Sequence, residues 1–352
     1  MNEGRDARVN GWAASICAAA LLLFSPEAMA AASTAAEVFV SGVMPALFPM
    51  MVVAKLMRLP QKGEHSFLGA VGMAFAGGSP ASAQRARLLY DAGRVPDGAL
   101  EPMLAATGVM SPMFFVGTLA GWTGLRGACW AMLGAHWLGA LLTAGLWALG
   151  RRLWRGGRAK PGSRPAAYAG QPPSAPAAPK EALGALLPRA VTEAAQAMLA
   201  VCGSMMLFSI LAGVLQAALS RLCPAWTAAN GPALSVLWAL LETGGGAAAV
   251  LKSHAAPPLA LLCGLCSFGG LSIWLQNLLF VGKCIRPVRL LQMRALHGAV
   301  SMGLFAAFER LWPALTAAFA AQGAQTARQA GAGWALVALL LSGLALCRRR
   351  AS

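Results

Sequence analysis

The sequence predicts an all-α polytopic membrane protein of about 8 spanning helices, built as two inverted-topology repeats with re-entrant or broken-helix hairpins. Three observations lead there. Of 352 residues, 58% are hydrophobic and 11% charged, with a mean hydropathy of +0.61, whereas roughly a quarter of a soluble domain is charged. Long uncharged runs recur, at 12–26, 38–54, 102–125, 127–150, 194–220, 255–282 and 329–347. Finally, one short series of features occurs twice: residues 75–83 (FAGGSPASA), 110–115 (MSPMFF) and 135–139 (AHWLG), then 241–249 (LETGGGAAA), 267–272 (SFGGLS) and 296–299 (LHGA). Each series is a small-residue break, a second break and a helix carrying one His.

The elements follow in order. Residues 1–35 hold an N-terminal transmembrane helix, expected near 10–31. Arg5, Arg8, the apolar run from Trp12 and Ala28-Met29-Ala30 also imitate a cleavable signal peptide, and the reading adopted is a retained signal-anchor. Residues 36–150 are the first repeat: a helix near 36–56 returning to Lys55, Arg58 and Lys62, a re-entrant hairpin over 67–83, the basic residues Arg85, Arg87 and Arg94, and spans near 102–123 and 126–150. Residues 151–185 are a basic, Pro/Ala-rich linker, read as a disordered cytoplasmic spacer, with lipid or partner binding as the alternative.

Residues 186–312 are the second repeat. A span near 190–219 leads out, a hairpin over 232–250 dips in from the opposite face, a span near 256–282 returns to Lys283, Arg286, Arg289 and Arg294, and a span near 293–312 follows. Residues 313–352 complete the chain with a transmembrane helix near 330–347 and the tail Arg348-Arg349-Arg350. The net charge of +16 sits in short segments between apolar runs, so it reads as cytoplasmic loops and not as a nucleic-acid surface. The cysteines are scattered through apolar sequence, and the pair Cys263 and Cys266 lacks a second pair or clustered His to complete a metal site; all are read as packing residues.

Broken backbone at membrane depth is costly unless it is buried in protein or lines a polar cavity. Gly77, Gly78, Ser79 and Ser82 in the first hairpin, and Thr243, Gly244 and Gly245 in the second, are therefore candidate substrate contacts, where half-helix N-termini would receive an anion. Ser111 with Pro112, and Gly269 with Gly270, mark the second breaks. Close helix packing through small residues is the competing explanation. Glu242 follows an apolar run and precedes three glycines; it is read as touching a coupling ion or substrate, against a hydrogen bond to its own hairpin backbone. His136 and His297 read first as packing residues. No nucleophile and base pairing, zinc motif, phosphate loop or dinucleotide fingerprint is present, so an enzyme and a cofactor are not expected.

At these breaks the chain resembles the sporulation integral membrane protein YlbJ (SpoVV) family, of the nucleoside-recognition or Gate domain group. The resemblance covers about residues 20–312. It rests on Ser25-Pro26-Glu27-Ala28 followed by residues 43–50 (VMPALFPM), on residues 77–83 (GGSPASA), on residues 111–114 (SPMF), on Glu242-Thr243-Gly244, and on Gly269-Gly270-Leu271-Ser272 with Gln276. Ser79 and Ser111 stand where the family has Tyr and Asn, Arg85 lies near its Lys, and Trp274 replaces a shorter residue, which leaves the substrate open. The resemblance implies retention of the first helix and export of dipicolinic acid from the mother cell across the outer forespore membrane. Ser272 and Gln276 join the candidate substrate residues on that ground. The expected partners are the lipid bilayer and a small organic anion, with self-association into a homo-oligomer left open. Two other readings are a membrane scaffold for spore cortex or coat assembly, which would not need both broken hairpins, and a nucleoside transporter, for which only Glu242, Gln276 and Asn277 offer ribose contacts.

Overall fold

The computed structural model describes residues 3–56, 71–154 (except 73, 76, 80, 92, 96 and 97), 183–253 and 258–311. Arg58, Lys62, most of the linker, the span near 330–347 and the arginine tail lie outside them. Among the described residues every regular element is helical.

Helix α1 (Glu3–Leu23) and helix α2 (Ser25–Val38) meet at Phe24 with a bend of 93°. The expected single helix over 10–31 is therefore two. Ser25-Pro26 begins α2, where proline loses nothing because first-turn N–H groups have no helical partner. Helix α2 passes through a wide π-turn (Phe39–Val43) into α3 (Met44–Leu56). After the first break comes α4 (Ala81–Asp91), so the hairpin expected to end at 83 continues to Asp91, and Arg85 and Arg87 ride on it. Then follow α5 (Leu100–Thr107), a π-turn (Phe114–Leu119) and α6 (Ala120–Thr123), which Gly124 closes in the left-handed conformation.

Helices α7 (Arg126–Trp154) and α8 (Leu183–Leu222) are the longest. The second hairpin comprises α10 (Gly231–Leu241) and α11 (Thr243–Ser253), preceded by α9 (Pro224–Ala229). Helices α12 (Leu259–Phe268) and α13 (Gly270–Val281) are one span broken at Gly269, and α14 (Pro287–Leu311) is the last described helix. Helices α7, α12 and α14 pack on one another; α2, α3 and α13 pack along α8.

Among the described residues three helical stretches, Arg126–Leu153, Leu186–Leu222 and Leu259–Cys284, are long and apolar enough to cross a membrane, or four spans if the bent α1–α2 pair is counted. Their polarity is distributed accordingly. On α8, Leu207, Leu211 and Leu215 recur every four residues and are exposed, while Ser204 and Ser209 are buried. An apolar outer face with hydroxyls inside suits a lipid surround and opposes solvation by water.

Ion pairs mark two ends. At one, Lys55 meets Glu193 at 3.4 Å, and Glu101 is held by Arg151 at 2.5 Å, Arg289 at 2.6 Å and Trp147 Nε1 at 2.9 Å. At the other, Arg221 meets Glu27 at 2.6 Å. Glu193 and Arg221 both lie on α8, roughly 40 Å apart at the helical rise. Each pair joins residues that charge placement puts on one side of a membrane. One expectation fails: Arg294, grouped above with loop cations, is 3% exposed.

Burial works to raise the Glu101 carboxyl, but the Trp147 hydrogen bond and the Arg289 and Arg151 guanidiniums outweigh it, holding the group below its ordinary range. A depressed carboxylate contributes stability above its unfolded pKa and loses that contribution as pH falls through its folded value. Glu101→Gln is therefore expected to cost about 1–2 kcal/mol at neutral pH, and to flatten the loss of thermal stability on acidification. Melting curves of the detergent-solubilised protein from neutral to acid pH check both; a variant with the wild-type acid dependence would assign that dependence elsewhere.

Candidate functional site

The breaks singled out in the sequence meet in the structure. In the first half, Gly78 adopts φ 69°, and a Cβ there would lie 2.5 Å from the Ser111 backbone nitrogen. Only glycine lets the two breaks approach this closely. The Ser79 N–H then donates to Val109 O at 2.6 Å, and Ser111 Oγ accepts from the Met113 N–H at 3.3 Å, starting the helix beyond the break. In the second half, Gly269 and Gly270 are both left-handed, and a Cβ on Gly270 would stand 2.9 Å from Thr243 Oγ1 and 3.1 Å from Leu241 O. The turn between α10 and α11 thus lies against the turn between α12 and α13.

Glu242 occupies the N-terminus of α11. Its Oε1 accepts from the Gly244 N–H at 2.7 Å and its Oε2 from the Gly245 N–H at 2.6 Å. The side chain is 2% exposed. The hydrogen bond to its own hairpin, weighed above as the alternative, is the geometry observed. The N–H pair expected to receive an anion from outside is already taken by a carboxyl group of the chain itself.

Polar contacts join the halves. Ser79 Oγ donates to Asn277 Oδ1. His136 Nε2 accepts from the Met110 N–H at 2.9 Å, which places the proton on Nδ1, facing Ser267 Oγ at 2.8 Å. His297 Nε2 donates to His136 O at 2.9 Å, and the two imidazoles lie 4.7 Å apart. The paired histidines of the two series are therefore neighbours.

Arg294, beside them, was not identified from sequence as a site residue. Its Nε donates to Phe268 O at 2.7 Å and its Nη1 to Gly108 O, so one guanidinium caps the carbonyl ends of α12 and α5. Nη2 is buried without a hydrogen-bond partner and fills the space a Cβ on Gly269 would need. Arg294 forms no ion pair among the described residues. Its sequence signal was its place three residues before His297, on the same helical face.

The remaining candidates divide. Gln276 Nε2 donates to Ser204 Oγ at 2.7 Å, tying α13 to α8. The hydroxyls of Ser82, Thr243 and Ser272 are buried without partners, as are Ser301 Oγ and His297 Nδ1. Gly77 lies buried in the first break. Trp274 Nε1 donates to Pro287 O at 3.0 Å, fixing the start of α14. Cys263 and Cys266 are buried in the apolar cluster of α12.

Among the described residues these features define an all-helical arrangement with membrane-length apolar helices, whose backbone breaks adjoin a buried cation. Comparison with protein-family models, with curated proteins and with solved structures finds no match, so the resemblance described above stands on its short motifs.

A Cβ on Gly246 would fall 2.1 Å from Ala239 Cα, so Gly246→Ala must splay the second hairpin, at a cost of about 1–3 kcal/mol. Gly145, on α7, has open space around it, and Gly145→Ala should gain up to about 1 kcal/mol from helix propensity. Opposite shifts in melting temperature are expected; equal shifts would show that the hairpin is not closed at Gly246.

Proposed function

We propose that this chain is an integral membrane transporter of a small organic anion. The observation that carries the reading is Arg294: a fully buried guanidinium with one nitrogen unpartnered, standing where the backbone is broken in both halves. Burying an uncompensated charge is expensive, and intramembrane ionisable groups usually mark a substrate or ion path. The buried hydroxyls of Ser82, Thr243 and Ser272 belong to the same breaks and offer further hydrogen bonds to a carboxylate.

In this reading about eight spans form two inverted repeats whose relative motion gives alternating access. The anion is met by Arg294. Glu242 already fills the N–H groups of Gly244 and Gly245, so in this reading its carboxyl group keeps the second hairpin turn closed while the anion is held at Arg294. The motif resemblance supplies the substrate, dipicolinate, and the setting, the outer forespore membrane of a sporulating cell.

Uptake of labelled dipicolinate into liposomes holding the purified protein, beside uridine and an unrelated dicarboxylate, tests the proposal. Saturable dipicolinate uptake is expected, lost in Arg294→Gln and partly kept in Arg294→Lys, which retains the charge without the fork. Glu242→Gln should stop uptake while the protein remains monodisperse and folded; normal uptake would remove Glu242 from the reaction. No uptake of any compound under several ion gradients would favour the scaffold.

A further inference from the structure

A second place for an anion lies away from the breaks. A cavity of about 500 Å³ opens between α8, α9 and the α10–α11 hairpin, within the size range of small-molecule sites. Its lining among the described residues includes Gln216, Ser220, Thr227, Trp238, Lys252 and Ser253, and no carboxylate. Lys252 is exposed in the last turn of α11 and forms no ion pair among the described residues. The first residue of α10, Gly231, and the last turns of α8 and α11 border the same space, so helix ends of both signs face it and Lys252 is the charged side chain among the described lining residues.

Trp238 supplies the apolar wall. Its Nε1 is buried without an acceptor, and its ring packs on Gly245, where a Cβ would stand 3.5 Å from Cζ2. Gly245 is one of the two residues whose N–H groups Glu242 holds. The indole thus separates the cavity from the capped turn of the second hairpin. An ammonium, hydroxyls, an amide and an indole face suit a planar aromatic carboxylate: the ring stacks on the tryptophan and the carboxylate meets the lysine.

We propose that this cavity is a binding site for a small aromatic carboxylate, held by Lys252 and Trp238, at the mouth of the second hairpin. The site deepens the transport reading by naming where the anion is held on the Arg221 side of the molecule, yet binding here does not require transport.

Calorimetric titration of isophthalate and of its ring-saturated analogue into the full-length protein, in nanodiscs of neutral lipid, tests it. Lys252 is exposed, so Lys252→Gln should fold normally and weaken isophthalate binding about tenfold or more. Trp238→Leu should weaken isophthalate and leave the saturated analogue nearly unchanged. Wild-type affinity in Lys252→Gln, or no binding of either compound to the wild-type protein in neutral lipid, would overturn the site. Lys252-dependent binding without dipicolinate uptake would support the cavity and remove the transport reading, whereas uptake with Lys252-independent binding would do the reverse.

Discussion

A helix that stops inside a protein leaves its last carbonyls without partners, and in apolar surroundings they cannot be left so. Two helices, α5 and α12, stop this way, and the Arg294 guanidinium serves both by donating to Gly108 O and Phe268 O. The rest of the centre follows from that double cap. Gly269 lacks a side chain where Nη2 lies. Arg294 fixes the face of α14 turned inward, and His297, one turn further, is carried to the His136 carbonyl. His136 in turn reaches Met110 and Ser267, next to the breaks themselves.

The opposite helix ends are treated unequally. In the second half the N-terminus of α11 is closed by a carboxylate from its own chain. In the first half no acid stands in the corresponding stretch: the sequence before α4 is Gly78-Ser79-Pro80, with Ser79 turned toward Asn277. One half thus closes its hairpin with a carboxyl group of its own and the other with neutral hydroxyls, and Arg294 is the charge that would draw a negatively charged ligand to the breaks.

The breaks were legible because they need residues that stand out in apolar sequence. Gly78, Gly269 and Gly270 take positive φ, and no residue with a side chain does so among the described ones. The histidines were legible as matching positions, but their contact depends on how α7 crosses α14. Arg294 was not legible, since charge counting assigns a lone arginine after a basic loop to that loop. Glu101 was missed for a related reason: Arg151 and Arg289, its partners, are distant in sequence and each resembles a topology-setting charge. The bend at Phe24 was hidden because Ser-Pro-Glu fits a first helical turn as well as a loop.

The polar links between the halves are unevenly placed along the molecule. At the Lys55 end they include Glu101 with Arg289, Lys55 with Glu193, and the Arg87 Nη1 donation to Val281 O. At the Arg221 end, the pair with Glu27 ties α8 to α2, leaving the α10–α11 hairpin beside the open cavity. If the two halves move against each other as proposed, this arrangement is the one closed at the Lys55 end and accessible from the Arg221 end. Opening the other way requires breaking the Glu101 cluster, whose carboxylate is shared among α5, α7 and α14. That cost is offset only by interactions formed in the other state, so the ligand must bind that state more tightly than this one. Arg294 provides that difference if its third nitrogen, which has no partner here, meets the ligand in the other state and not in this one.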